Sequence, residues 1–258
     1  MADRVPLYDD FGERYDLMVE WEGRLARESP FFESIFQQTS AGSVLDVGCG
    51  TGWHAIHFAR LGLQVTAVDP SGEMLRLAEA NGASGAGVRL VQAGLGQLAE
   101  RTRGEFGVVT CLGNTLPHLL TPDSLLAGLR DARDVLRPGG VLVVQQLNYD
   151  RILAQRQRFL GVSSRTSPEA EHLFFRFYDY GEPLITFNMV SFERPLDRAK
   201  GGWEYRVDST SLQPITAGQV ESALAAAGFA PAALYGSYDR QPFDSERSND
   251  LIVVAARQ

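Results

Sequence analysis

The chain has 258 residues, 44% hydrophobic and 22% charged, a globular balance that excludes a disordered or collagen-like protein. Lys and Arg number 24 against 32 Asp and Glu, a formal charge of -8 with no polybasic run, so nucleic acid is not expected as a partner. The two cysteines, Cys49 and Cys111, form neither a disulfide framework nor a metal cluster, so no metal is expected. Residues 1–16 are charged and lack the apolar core of a signal peptide. No window reaches the ~18–20 apolar residues of a membrane span. The expectation is one cytoplasmic domain without membrane contact.

Residues 13–38 read as helical, with Trp21, Leu25, Phe32, Ile35 and Phe36 near helical spacing and Pro30 starting a second helix after a break at Ser29. The N-terminal stretch also carries Tyr8, Tyr15, Asp16, Glu22, Arg24 and Arg27, rich polar and aromatic content for a scaffold helix. A regular alternation follows. Strands are expected at 43–48, 64–69, 88–92, 106–111 and 141–146, with helices at about 53–61, 71–79 and 122–136. Nearly all-apolar strands alternating with helices imply a parallel sheet covered on both faces and wound in both directions.

Residues 148–213 break that rhythm. A helix over 149–160 and a polar, turn-rich stretch at 161–170 precede three strand-like segments, at 171–179, 184–193 and 203–212, that alternate with period two. They read as a small antiparallel insertion, with Trp203 and Tyr205 in its core. Thr216 and Gln219 then form a capping box, Gly228 ends the helix, and 233–238 and 251–256 supply the last strands. The reading is a single domain: 1–42 as an N-terminal helical lid, 43–147 as a cofactor core, 148–213 as an inserted cap, and 214–258 completing the sheet.

Asp46-Val47-Gly48-Cys49-Gly50-Thr51-Gly52 follows a strand and opens a helix. Glycines there permit a tight turn and close approach of backbone to a ligand, and the helix end offers free N–H groups. A dinucleotide asks for G-x-G-x-x-G and a P-loop for Lys-Ser/Thr after the glycines; this segment has neither. A nucleoside cofactor without a pyrophosphate fits better. Asp46 then either faces a cationic amino-acid tail or braces the loop. Asp69, ending the next strand, is placed for ribose hydroxyls. Cys49 reads as a small packed residue rather than a nucleophile.

The strings VLDVGCGTG, VTAVDPSGEML and LRPGGVLVV together resemble the class I S-adenosylmethionine-dependent methyltransferases over residues 43–146. The resemblance implies a Rossmann-like, doubly wound seven-stranded sheet whose last strand is antiparallel, and S-adenosyl-L-methionine as cofactor. It implies cofactor contacts from Asp46, Gly48, Cys49, Gly50, Gly52, Asp69 and Met74. An acidic residue often follows the third strand in that family; here the segment is Gln92-Ala93-Gly94-Leu95, so the adenine contact falls to backbone, Gln92 or Leu95.

CLGNTLPHL (111–119) and LNYDRIL (147–153) are similar, more narrowly, to the glycine and sarcosine N-methyltransferase group. That likeness implies that Leu112, Gly113, Asn114 and His118 line the cofactor's methionine part and that Asn148 faces the acceptor. Tyr15 and Arg24 are counterparts of that group's N-terminal tyrosines and arginine. Gln146-Leu147 replaces the group's charged pair. The likeness also leaves room for a homo-oligomer.

Fold logic puts the acceptor at the carboxyl edge of the strands, under the insertion. Alternation sets His172, Phe174, Arg176 and Tyr178 on one face there. Arg176 among aromatics suits a carboxylate clamp, the other reading being a solvated or structural ion-pair residue. The expected acceptor is a small molecule, an amine in first place, with a carboxylate as one option. Asn148 is the first choice for orienting it, and Tyr15, His118, Arg176 and Tyr178 support. Tyr178, Asn188 and Arg206 are weaker acceptor contacts. The segment from Phe243 through PFDSERSND is a candidate loop over the site. O-methylation, with His118 as base, and a non-catalytic cofactor-binding protein are the alternatives.

Overall fold

The computed structural model describes residues 7, 11, 12 and 14–258. Tyr8 and the start of the first expected helix, at residue 13, lie outside the described residues. Helices α1 (Arg14–Met18) and α2 (Trp21–Gln38) lead into β1 (Ser43–Val47), α3 (Trp53–Arg60), β2 (Gln64–Asp69), α4 (Gly72–Ala80), β3 (Arg89–Gln92), α5 (Leu98–Arg101), β4 (Phe106–Cys111), α6 (Pro122–Asp134) and β5 (Leu136–Leu147). The chain continues through α7 (Tyr149–Ala154), β6 (Phe159–Thr166), β7 (Ala170–Tyr180), β8 (Ile185–Pro195), β9 (Glu204–Leu212), α8 (Ala217–Ala227), β10 (Ala233–Tyr235) and β11 (Asp250–Ala256).

Seven strands form one sheet in the order β10-β11-β5-β4-β1-β2-β3, with β11 antiparallel to both neighbours. β1, β4 and the apolar part of β5 are buried almost throughout, as strands covered on both faces must be. One face packs on α6 and α8 through Leu125, Leu129, Val220 and Leu224. The other packs on α2 and α3 through Phe32, Phe36, Ile56 and Phe58. Caps set the helix starts: Ser71 accepts from the Met74 N–H, and Thr216 with Gln219 forms the expected box. The insertion is a separate antiparallel sheet, β6-β7-β8-β9.

Four local expectations are corrected. Helix α2 runs through Pro30 without a break at Ser29, and the interruption falls between Met18 and Trp21. Ala26 and Pro30 are both exposed, so the proline falls on the solvent side of the helix, while Phe31, Phe32, Ile35 and Phe36 anchor the far face. Pro138-Gly139-Gly140 lies inside β5 rather than before it. The helix expected over 149–160 stops at Ala154, and the turn-like stretch after it is an edge strand, β6. Gly161, Ser163, Ser164 and Arg165 obscure that strand in the sequence, because it pairs on one side only and leaves alternate residues in water. Trp203 and Tyr205 are 43% and 72% exposed, so neither is core.

The carboxyl ends of β1, β2, β4 and β5 share one edge of the large sheet. The glycine loop, Asp69, residues 112–118 and the β5–α7 junction therefore converge there. No helix among the described residues is long and apolar enough to cross a membrane.

Candidate active site

The glycine loop turns sharply over the end of β1. The Gly48 and Cys49 N–H groups both donate to the Val68 carbonyl, at 2.8 and 3.0 Å. Gly48 has φ +67°, and a Cβ there would meet Thr115 at 2.5 Å, so no other residue fits without displacing the 112–118 segment. Gly50 also has positive φ, but its open side meets nothing within 4 Å and faces the cleft. Its N–H donates to Asp69 Oδ2, and the Ser71 N–H donates to Asp69 Oδ1, each at 2.9 Å. Asp69 is thus fixed at the mouth of the cleft.

Asp46 lies deeper. Its Oδ1 accepts from Thr110 at 2.8 Å, while its buried Oδ2 has no partner among the described residues. Burial raises its carboxyl above the ordinary range, a cost that a bound cation would relieve. Met74, Leu112 and Cys49 supply apolar wall. Burial also pushes the Cys49 thiol well above its usual value, which leaves it protonated and unreactive.

The N-terminal segment closes the cleft. The Asp16 carboxylate accepts from Thr51 Oγ1 at 2.5 Å, Trp21 Nε1 at 2.8 Å, Asn81 Nδ2 at 2.9 Å and Trp53 Nε1 at 3.2 Å. One side chain thereby ties α1 to the glycine loop, to α3 and to the end of α4. Trp21 and Trp53 stack with centroids 6.5 Å apart, and the Arg24 guanidinium lies 5.1 Å from the Trp21 ring centroid. Arg24 donates to Glu28 Oε1 and His54 bonds Glu28 Oε2, at 2.8 and 2.7 Å. Burial disfavours the Glu28 charge, but His54 and Arg24 outweigh it and hold the carboxyl below its ordinary range. Burial likewise opposes the Arg24 charge and is outweighed, with Glu28 first.

Behind the cleft lies a second cavity of about 350 Å³. Tyr15, Arg24, Gly113 and His118 line both spaces and form the seam between them. Residues of β7, β8 and β9 form the far wall, among them Arg176, Tyr178, Phe187 and Met189. Arg176 is mostly buried, and its Nε has no hydrogen-bond partner among the described residues. Burial lowers its pKa, and the described titratable groups beside it are the phenols of Tyr178 and Tyr15. Burial raises Tyr178 to about 12 and lowers His118 to about 4, so both are neutral at physiological pH.

The cleft brings together Asp46, Gly48, Cys49, Gly50, Asp69, Met74, Leu112, His118, Tyr15 and Arg24. Other expected positions lie elsewhere. Gly52 supports the loop from outside: its φ is +82°, and a Cβ would strike Ala78 of α4. Leu95 packs against the α6 side of the sheet, beside Gly128. Gln92 does not line the cleft itself but donates to the carbonyl of Pro70, which does. Asn114 lines the rear cavity, where its amide bonds the Tyr149 hydroxyl and its Oδ1 accepts from the Leu147 N–H.

Asn148, the first choice for orienting the acceptor, is fully buried outside both spaces. Its Oδ1 caps α7 at the Arg151 N–H, and its Nδ2 donates to the carbonyls of Asp244, Ser245 and Ser248. A side chain so committed holds the 244–248 loop against α7. Phe243 likewise packs into the α6–α8 core rather than over the site. Asn188 bonds Asp179, Thr186 and Ser209 within the small sheet, and Arg206 pairs with Asp208.

Sequence reasoning also passed over Asp16 as a site residue, Glu28, His54, Gln145, Tyr238 and Asp250. Gln145 joins two segments, accepting from the Gly113 N–H and donating to Asp250 Oδ1, both at 2.8 Å. Asp250 and Tyr238 line the cavity, and burial raises both. A polar cluster at Asp16, Trp21 and Arg24 was the one available signal; the rest become visible only when α2 and β11 meet the cavity.

The cleft fits S-adenosylmethionine: a buried carboxylate with one oxygen unpartnered among the described residues for a cationic tail, a fixed second carboxylate for vicinal hydroxyls, and apolar wall for a base. The comparisons with known proteins agree. A family model described as a methyltransferase domain matches residues 44–140. The chain is 28% identical to a glycine/sarcosine N-methyltransferase of Parasynechococcus marenigrum (strain WH8102), over 97% of this chain and 84% of that protein. It is 34% identical to a glycine/sarcosine N-methyltransferase of Halorhodospira halochloris over 56% of this chain, spanning only 54% of that relative. Among solved structures, the CcbJ methyltransferase from Streptomyces caelestis superposes with a TM-score of 0.74 at 26% identity, covering 99% of this chain and 100% of that one. The chain is a class I S-adenosylmethionine-dependent methyltransferase related to the glycine/sarcosine N-methyltransferases.

Proposed function

We propose that this enzyme methylates the nitrogen of a small acceptor that also carries an anionic group, a carboxylate in first place. The observation that carries the reading is Arg176: a mostly buried guanidinium on the cavity wall whose Nε has no hydrogen-bond partner among the described residues. A buried cation without an anion is costly, and a ligand carboxylate supplies two acceptors in the geometry a guanidinium prefers. The named relatives, glycine/sarcosine N-methyltransferases, support the same substrate class.

When bound, S-adenosylmethionine supplies a methyl already activated by its sulfonium. The chain's task is then to align a lone pair, exclude water and deal with a proton. Asp46 would hold the cofactor's cationic amino-acid tail and Asp69 its ribose hydroxyls. Tyr15, Gly113 and His118, at the seam, stand where the two spaces meet. Arg176 fixes the acceptor's anion on the far wall, which leaves the amine toward the seam. Asp250 and Glu28, also on the cavity wall, complement an ammonium on arrival. Asp250 is the better proton receiver, because burial raises its affinity for a proton while Glu28 is held ionised by His54 and Arg24.

O-methylation has less support. A hydroxyl acceptor needs a base, and His118, held at about 4, is a poor one.

The test is transfer of a labelled methyl group to a panel of amino acids, their decarboxylated amines, and phenols. Turnover of carboxylate-bearing amines, with KM rising at least about tenfold for the matched amines lacking the anion, is the expected result. Equal use of both members of each pair, or preference for phenols, would overturn the reading.

A further inference from the structure

Two apolar clusters meet at the acceptor cavity. One holds Phe11, Phe174 and Met189, with Met18 packed against it. The other holds Tyr178 and Leu212, with Leu147 and Leu160 packed against it. Phe187 packs against both and is only half-buried. On β7, Phe174 belongs to the first cluster and Tyr178 to the second. Arg176 lies between them on the same sheet face, directly opposite Met189 of β8. Met18, Leu147, Leu160, Phe187, Met189 and Leu212 all border the cavity. Apart from Arg176, its charged lining among the described residues comes from other elements: Arg24, Arg27 and Glu28 from α2, and Asp250 from the start of β11. The cavity therefore has a charged side, and an apolar side with one guanidinium set into it.

We propose that the acceptor carries a bulky apolar substituent, of about four carbons or more, beside its amine and its carboxylate: a hydrophobic amino acid rather than glycine. The inference rests on the reading of Arg176 as the partner of the acceptor's anion. Three observations select this class. The first is space. A cavity of about 350 Å³ falls within the roughly 300–1,000 Å³ that whole organic ligands occupy. An amine and a carboxylate on a single carbon fill only a small part of it. The second is the character of the wall. With the carboxylate on Arg176 and the amine at the seam, the rest of the acceptor meets Leu160, Phe187, Met189 and Leu212. Side chains that border an unfilled space forgo the contacts of a close-packed interior, and an apolar substituent restores them. The third is what the wall lacks. Those four side chains hold no hydrogen-bonding N or O, so a hydroxylated substituent placed on them would give up water without replacement.

The test is calorimetric titration of glycine, serine, leucine and phenylalanine into the enzyme saturated with S-adenosylhomocysteine, a readout that does not depend on turnover. One methylene in a hydrophobic pocket changes discrimination by about tenfold or more. Leucine or phenylalanine should therefore bind at least about thirtyfold more tightly than glycine, with serine no better than glycine. Glycine or serine binding as tightly as both larger amino acids overturns the proposal, and so does a failure of all four to bind. Phenethylamine separates this inference from the reading beneath it. If it matches phenylalanine, the apolar wall is supported and the carboxylate clamp falls. If glycine matches phenylalanine while phenethylamine binds weakly, the clamp stands and the apolar substituent falls. Thr210→Phe adds a ring to the wall at the position opposite Phe187 on β9. It should shrink the phenylalanine-to-glycine affinity ratio by at least about tenfold. An unchanged ratio in the folded variant overturns the proposal. The series on the unaltered enzyme decides the question if the variant fails to fold.

Discussion

The cofactor cleft and the acceptor cavity are neighbours built by opposite means. The cleft is made largely of backbone and short side chains from a few contiguous runs: the glycine loop, the end of β2 and the start of the 112–118 segment. The cavity is made of side chains from α1, α2, β5, the small sheet and the start of β11. A site built on local backbone geometry tolerates little change at single positions but needs few specific residues. A site assembled from distant side chains can be retuned one residue at a time, which is how one methyl-donor frame serves many acceptors.

Gly48→Val should break the cleft most severely. The added Cβ meets Thr115, and the backbone sits at a φ that valine avoids. Cofactor affinity by titration calorimetry should fall by at least about 100-fold, the equivalent of roughly 3 kcal/mol. Affinity within a few-fold of the unaltered chain would mean that the loop does not set the cleft.

His118 stands at the seam and sharpens the comparison through pH. Its folded pKa, about 4, is depressed from 6.5 by burial. The unfolded chain therefore takes up a proton as pH falls through 6.5, while the folded chain resists until about 4. Its contribution is complete above 6.5 and lost progressively between 6.5 and 4, about 3 kcal/mol at most. His118→Gln should flatten the fall in melting temperature over that window. An unchanged acid slope would remove His118 as its source.

Arg176→Met should separate the two spaces. Losing a charge-assisted pair at the far wall should raise the acceptor KM roughly 30-fold, with cofactor affinity within about twofold. Equal losses in both would show that the cavity and the cleft are not independent.

Asp16→Ala should blur the distinction instead. Its four bonds tie α1, and with it Tyr15 on both walls, to the glycine loop. Loosening that tie should speed cofactor release and raise acceptor KM together, each by roughly fivefold to tenfold. A change confined to one of them would mean that α1 serves only that space.

The same contrast explains what could be read in advance. The order of strands and helices, the glycine turn and Asp69 at the end of β2 follow from local chemistry: periodicity, glycine's access to positive φ, and an acid at a strand end. Asn148 shows where such reading stops. Its neighbours match an acceptor-facing motif, yet three carbonyls from the 244–248 loop take up its amide. No local pattern announces that loop's arrival. β6 was hidden for a related reason, since a one-sided edge strand has no need of the apolar alternation that identifies a strand.

By itself, then, the sequence determined the doubly wound sheet, the loop that receives a nucleoside cofactor and the residues at its mouth, because each depends on neighbours within a few positions. Only the tertiary structure decided that Arg176 is mostly buried with an Nε unpartnered among the described residues, that Asp16 ties the N-terminal segment to the glycine loop, and that Asp250 reaches the cavity. Burial, pairing and pKa are properties of what surrounds a group, and here those surroundings come from segments far apart in the chain.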